Sequence, residues 1–413
     1  MNDAPISPLA PSRFPNALPV PGVEFAVAAS GLRYRGRDDL LVCRFCEGAE
    51  AAQLLTRSKT PGAPVLFSRA AQAASGGRIR ALMVNAGNAN ALTGPAGEAA
   101  ADSLAEALAA RISCSTDEIR LAATGVIGMP FDPAPVLATL NRLEYASGGW
   151  PRAARAIMTT DTFPTGASEL AKIDGEPVVI TGIAKGSGMI RPDMATMLAF
   201  VFTNARLPAD VLDTLLRSAA DRSFHAITVD GDTSTSDMLL MVATGEAARH
   251  APIERADDPR LDEFRMRLER LMIDLAQQVV RDGEGAQKFV AVTVTGARDE
   301  AAARRVAFTI AESPLVKTAI AGGDPNWGRI MAAAGRSGAV GDDFARWRLS
   351  IGGVPVVEGG GPRPDYREEE AARHMAGREI AIRLDLGEGA GEATVWTCDL
   401  TKRYIEINAD YRS

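Results

Sequence analysis

Apolar residues recur at helical spacing in three stretches of the chain. In residues 97–112, Leu104, Leu108 and Ile112 repeat every fourth position, with Glu98 and Asp102 early and Arg111 late. That charge order suits the helix dipole, so the stretch predicts a helix. Residues 208–218 set Val211, Leu212 and Leu215 on one face behind Asp210, and residues 259–280 carry Leu261, Phe264, Leu268, Leu271, Leu275 and Val279. These stripes read as core-facing sides of amphipathic helices rather than as cofactor boxes.

Short β-branched or apolar runs predict strands at 81–84, 177–183, 197–202, 238–242 and 289–294. The last third adds 306–310, 347–351, 380–384, 394–398 and 404–407. Several alternate apolar and polar residues, as half-buried antiparallel strands do. The fold class expected is α+β, with layered sheets and helices. Residues 358–364 hold only breakers and charge around Pro362 and Pro364, which marks a surface turn. Residues 1–22, with Pro5, Pro8, Pro11, Pro15, Pro19 and Pro21, read as an extended lead-in. They lack the basic and apolar regions of a signal peptide, and no apolar run approaches the roughly 18 residues that span a bilayer. A cytoplasmic protein without a membrane partner is the expectation.

Composition narrows the function classes. A chain of 413 residues suggests two or three domains, and 46% hydrophobic with 23% charged residues excludes a disordered or fibrous chain. Lys and Arg total 45 against 52 Asp and Glu, a net charge of −7. Phosphate neutralisation needs a basic surface, so no nucleic-acid partner is expected. Cys43 and Cys46 form a C-x-x-C, open to reading as a redox pair or as half of a zinc site. Cys114 and Cys398 are distant, and His225, His250 and His374 are scattered singly. Reduced, structural cysteines and no metal are expected.

The densest unusual stretch runs from Lys185 through Gly186, Ser187, Gly188, Pro192 and Ala195 to Thr196 and Phe202. It is not a Walker A loop, because the lysine precedes the glycines. One reading is a loop feeding a core strand. The other is a self-exposed nucleophile: a cut between Ala195 and Thr196 would place an α-amine beside the threonine hydroxyl. An α-amine, with a reference pKa of about 7.7–8.0, can serve as the local base.

Lys185–Gly–Ser–Gly–Met–Ile–Arg–Pro–Asp–Met–Ala–Thr196–Met–Leu198 resembles the nucleophile signature of the ornithine acetyltransferase family, the glutamate N-acetyltransferases of arginine biosynthesis. Segments beginning at Asn85, Ala123, Met158, Ile227, Asp282, Ser313, Asp324 and Ile407 resemble the same family in the same order, from about residue 20 onward. The resemblance implies a layered α/β/β/α sandwich like that of self-processing aminopeptidases. It implies residues 1–195 as one piece and 196–413 as another, two of each forming a heterotetramer.

The roles implied by the resemblance are specific. Thr196 is the nucleophile for autocleavage and for acetyl transfer from N2-acetyl-L-ornithine to L-glutamate. The Thr124 hydroxyl and the Gly125 N–H form the oxyanion hole. Thr159, Lys185, Thr196, Glu284, Asn408 and Ser413 contact substrate, and Glu284 can shuttle a proton. No cofactor is required, because the amide donor carries its own acyl group; acetyl-CoA as a second donor stays open.

Departures from the family pattern fall at residues 54–64, Ala86, Ala123, Thr165, Arg191 and Ser236, and bear on acceptor and acyl specificity. A paralogue acylating another amine, a threonine amidase or aminopeptidase using water, and a non-catalytic binding protein remain the alternatives. Asp230, Asp232 and Asp237 suggest a turn beside the site rather than a cation loop, and residues 324–328 a structural turn around Trp327.

Overall fold

The computed structural model describes residues 5–191 and 197–410. The chain forms two compact units, Pro11–His225 with Asp232–Val279, and Met1–Ala10 with Ala226–Gly231 and Val280–Ser413. The cut expected after residue 195 concerns the backbone and is a separate matter from this packing.

The larger unit holds nine strands: β1 (Val23–Ala28), β2 (Leu40–Phe45), β3 (Glu50–Leu55), β4 (Ala81–Asn88), β5 (Ile119–Val126), β6 (Thr165–Ile173), β7 (Glu176–Lys185), β8 (Leu198–Thr203) and β9 (Met238–Ala243). They make a four-stranded sheet in the order β1-β2-β4-β5 and a five-stranded sheet in the order β3-β9-β8-β7-β6. Its helices are α1 (Ala63–Ser75), α2 (Gly94–Ile112), α3 (Ala134–Leu140), α4 (Trp150–Ala156), α5 (Ala209–Asp221) and α6 (Asp262–Arg281).

The sheets pack face to face. Leu41, Cys43, Leu82 and Val84 from one meet Leu198, Phe200, Phe202, Met238 and Leu240 from the other in a single core. Phe25 and Trp150 lie edge to face in it, with ring centroids 4.6 Å apart. The alternate residues of the first sheet, Leu40, Val42, Ala81 and Met83, pack instead against Leu104 and Leu108 of α2 and Val136 and Leu140 of α3. Both faces are therefore buried, which is why β2 and β4 read as unbroken apolar runs. On the far side, α6 lies so close to β7 that a Cβ on Gly182 would sit 2.8 Å from the Leu275 side chain. The result is an α/β/β/α sandwich, the layered α+β architecture expected.

The smaller unit has one sheet in the order β13-β12-β11-β14-β10-β15. Its strands are β10 (Phe289–Ala297), β11 (Arg348–Ile351), β12 (Val354–Glu358), β13 (Gly361–Pro362), β14 (Glu379–Asp385) and β15 (Gly391–Cys398). Its helices are α7 (Glu300–Ala311), α8 (Pro314–Ala321), α9 (Trp327–Gly335), α10 (Glu368–Met375) and α11 (Lys402–Ala409). In β14, Ile380, Ile382 and Leu384 are buried while Glu379, Ala381 and Arg383 are exposed, so one face packs on helices and the other is open. Residues 358–364 turn the β12–β13 hairpin, where Val357 pairs with Pro362.

Two expected strands are helical instead. Residues 306–310 lie in α7, where Val306, Ala307, Ile310 and Ala311 form a helical stripe and the Asp299 side chain caps by accepting from the Ala302 N–H at 2.7 Å. Residues 404–407 lie in α11, capped by Thr401. In each case a β-branched run shorter than a helix was outweighed by an N-cap just upstream. Among the described residues, no helix is long and apolar enough to cross a membrane.

Candidate active site

In the larger unit β4 and β5 run parallel, with Ala86 opposite Thr124 and Gly87 opposite Gly125. Gly125 has φ +128°, and a Cβ there would lie 2.2 Å from the Gly87 carbonyl carbon. Only glycine allows that approach. The strand interior is fully buried, but Thr124 and Gly125 are partly open, so the hydroxyl and the N–H emerge where the strand ends.

Lys185 ends β7 in the other sheet, and its side chain is buried. Its Nζ donates to the Thr159 hydroxyl at 2.8 Å and to the Thr124 hydroxyl at 3.3 Å. The ammonium also pairs with Asp161 at 3.4 Å, with 6% and 3% of the two side chains exposed. Asp161 is fully used: Oδ2 accepts from the Thr159 N–H at 2.8 Å and Oδ1 from the Gly186 N–H at 2.6 Å. A buried charge needs such partners, and this one ties residues 158–162 to the start of the glycine-rich turn.

The chemistry follows from the donor inventory. A threonine hydroxyl that accepts from an ammonium keeps its own proton for another acceptor. Thr124 thereby keeps its proton to donate beside the Gly125 N–H, and two adjacent donors of this kind can stabilise an oxyanion.

Asp237 stands just before β9, whose first residue, Met238, donates its N–H to the Met197 carbonyl at 3.1 Å. Burial pushes its carboxyl well above the ordinary range, opposed by the Lys185 charge, the Met197 N–H and the Thr56 hydroxyl. None of these reaches hydrogen-bond geometry with either carboxylate oxygen among the described residues.

In the smaller unit the Asn408 amide donates to Glu284 Oε2 at 2.7 Å. The loop carrying Glu284 is held on both sides. Thr401 Oγ1 donates to the Gly285 carbonyl at 2.8 Å, and Asp399 Oδ1 accepts from the Gln287 and Lys288 N–H groups at 2.8 and 3.0 Å. Gly285 has φ +75°, and a Cβ there would meet the Tyr404 backbone nitrogen at 2.8 Å.

Of the sequence-predicted residues, Thr124, Gly125, Thr159 and Lys185 come together in one unit, and Glu284 and Asn408 in the other. Ala195, Thr196 and Ser413 lie outside the described residues. Asp161 was not among the candidates, and Asp237 was expected only as part of a turn beside the site. Asp161 was signalled by its place between Thr159 and Thr162 in a matching segment, and a buried lysine demands such a partner. Among the described residues no group of three or more His, Cys, Asp or Glu could hold a metal ion. Cys43 is buried on β2, and Asn326 caps α9 by accepting from the Arg329 N–H at 3.2 Å.

Fold and site together define a layered α+β protein that gathers Thr124, Gly125, Thr159 and Lys185 at the strand ends of its larger unit. A profile of the ArgJ family matches residues 24–413. The arginine biosynthesis bifunctional protein ArgJ of Agrobacterium fabrum is 50% identical over 414 residues, covering 99% of each chain. A solved ArgJ from Bacillus halodurans is 40% identical over 52% of this chain and 99% of that one, with TM-score 0.49. An ornithine acetyltransferase from Mycobacterium tuberculosis, solved with ornithine, is 33% identical over 44% and 98%, with TM-score 0.38. The chain belongs to the ArgJ family. It is an enzyme, and acetyl transfer in arginine biosynthesis is its activity.

Proposed function

We propose that this chain moves the acetyl group of N2-acetyl-L-ornithine to L-glutamate through an acetyl ester on Thr196, formed after a cut between Ala195 and Thr196. The observation that carries the reading is the Lys185 ammonium donating to both the Thr124 and Thr159 hydroxyls beside Gly125.

In the first half-reaction the Thr196 hydroxyl oxygen attacks the acetyl carbonyl and its proton passes to the α-amine freed by the cut. The oxyanion takes hydrogen bonds from the Thr124 hydroxyl and the Gly125 N–H. Collapse breaks the amide C–N bond, and ornithine leaves once its nitrogen takes the proton held by the α-ammonium, with Glu284 as the relay. In the second half-reaction the glutamate amine attacks the ester carbonyl, the ester C–O bond breaks, and a proton from that amine passes by way of the α-amine to the Thr196 oxygen, restoring its hydroxyl. Lys185 orients the two hydroxyls, and Asn408 orients Glu284.

Residues 1–195 and 196–413 stay together after the cut, two copies of each, in the cytoplasm. The reading is supported by the family membership and by the chemistry of the residues at 124, 125, 159 and 185.

Intact mass and an acetyl-transfer assay on the purified chain test it. The expected result is two pieces that begin at Met1 and Thr196, N-acetylglutamate formed from acetylornithine, and one inert intact chain for Thr196→Ala. A wild-type chain that stays whole, or that releases acetate to water without using an amine acceptor, would overturn it.

A further inference from the structure

The loop between β1 and β2 carries Arg33, Tyr34, Arg35 and Arg37, and it packs on the same strand ends that shape the oxyanion site. A Cβ on Gly87 would lie 2.9 Å from Arg33 Cβ and 3.0 Å from the Tyr34 ring, and Gly87 is the residue against which Gly125 is pressed. The Arg37 guanidinium stacks 4.4 Å from the Tyr34 ring centroid and donates to the Met158 carbonyl, one residue before Thr159. Arg33 thus packs on Gly87, the strand neighbour of Gly125, Arg37 is tied to the residue before Thr159, and both arginines are half-buried.

Neither guanidinium forms an ion pair among the described residues, whereas the other charges at these strand ends are engaged or buried. Lys185 is neutralised by Asp161. Asp38 in the loop is taken by Arg152 at 2.8 Å, and Asp39 Oδ1 accepts from the Ser30 N–H at 2.5 Å. Among the described residues neither Arg33 nor Arg37 pairs with a carboxylate. Arg33 has only the Met129 sulfur, at 3.3 Å, a weak acceptor. Half-buried guanidinium groups without an ion pair among the described residues, one of them stacked on a tyrosine ring, fit a planar carboxylate, which can take two parallel N–H bonds.

We propose that Arg33 and Arg37 form a carboxylate-binding subsite that holds the side-chain carboxylate of the acceptor and so selects a dicarboxylic amino acid. This inference rests on the acyl-transfer reading above and adds to it a basis for acceptor choice. The donor, acetylornithine, carries a cationic end where glutamate carries an anionic one. Two arginines therefore favour the acceptor over the donor, and they give the positive charge that Lys185, already matched by Asp161, does not supply.

The test compares L-glutamate with L-glutamine as acceptor at saturating acetylornithine, using the full self-processed enzyme. The wild type is expected to prefer glutamate. In Arg33→Gln and in Arg37→Gln, kcat/KM for glutamate should fall about ten- to a hundredfold, the usual effect of losing a charge-assisted pair. The preference over glutamine should collapse with it. Arg37→Lys should keep part of the preference, because the charge remains while the planar fork is lost.

Equal losses with both acceptors, or an unchanged preference in both glutamine variants, would overturn the subsite and reduce the arginines to a structural role. A wild type that transfers to neither acceptor would overturn the acyl-transfer reading itself, and shows before any variant is made.

Discussion

Lys185, the last residue of a strand in one sheet, donates to the hydroxyl of Thr124 at the end of a strand in the facing sheet, at 3.3 Å. This contact spans the two layers of the sandwich and couples the lysine to the hydroxyl proposed as an oxyanion donor. An amine in that place removes one acceptor role from the hydroxyl and leaves its proton for substrate.

The pair should act as a unit. Thr124→Ala is expected to lower kcat about 10²–10³-fold, the usual cost of one oxyanion donor, whereas Thr124→Ser should retain most of it. Lys185→Met should fall similarly, and the double variant far less than the product of the two. Steady-state rates in a double-mutant cycle measure this; strict additivity would separate the lysine from the oxyanion site.

Asp161→Asn leaves the Lys185 charge buried without its carboxylate. Breaking a buried pair from one side costs about 3–5 kcal/mol, so the urea midpoint should drop sharply. Adding Lys185→Met should restore part of the stability, although not the activity.

Gly125→Ala forces a Cβ to 2.2 Å from the Gly87 carbon at φ +128°. Backbone strain of this kind alone costs about 1–3 kcal/mol, and the clash falls on backbone that cannot swing aside. Loss of both stability and activity is expected, whereas Ala122→Gly, two strand positions earlier than Thr124, should cost stability only.

Asp237 gives a pH dependence whose sign follows from its raised carboxyl. The folded state keeps the proton at pH values where the unfolded chain, with an ordinary carboxyl near about 3.9, has released it. Stability contributed by the neutral form is complete below that value and is lost as pH rises towards the folded pKa. Asp237→Asn has no such proton, so the variant should gain stability relative to wild type as pH rises above about 4. Melting temperatures at unit pH steps read the difference, and parallel curves for the two proteins would contradict it.

Long amphipathic helices were legible because their burial is set by periodicity alone. The stripe of Phe264, Leu268, Leu271 and Leu275 predicted α6, and those residues are buried as expected. Strands β8 and β9 were legible for a related reason, since both faces are buried and every residue is apolar or small. The alanine-rich α1 and the short β3 left no such signal, and Val306 to Ile310 gave the wrong one, because five residues of β-branched character fit either period. The N-cap Asp299 was the feature that could have decided it.

By itself the sequence determined the layered α+β class, and it singled out Lys185 with the glycines after it and Thr124, Gly125, Thr159, Glu284 and Asn408 as candidates. These rest on local periodicity and on residue types in matching order, which a linear chain carries in full. Only the tertiary structure decided that Lys185 is matched by Asp161, that Asp237 is buried without a hydrogen-bond partner among the described residues, and that Arg33 packs on Gly87 while Arg37 reaches the Met158 carbonyl, neither in an ion pair among those residues. Each of those depends on which charges meet across sheets and loops far apart in the chain. Pairing and desolvation are set by three-dimensional neighbours, and no spacing along the sequence encodes them.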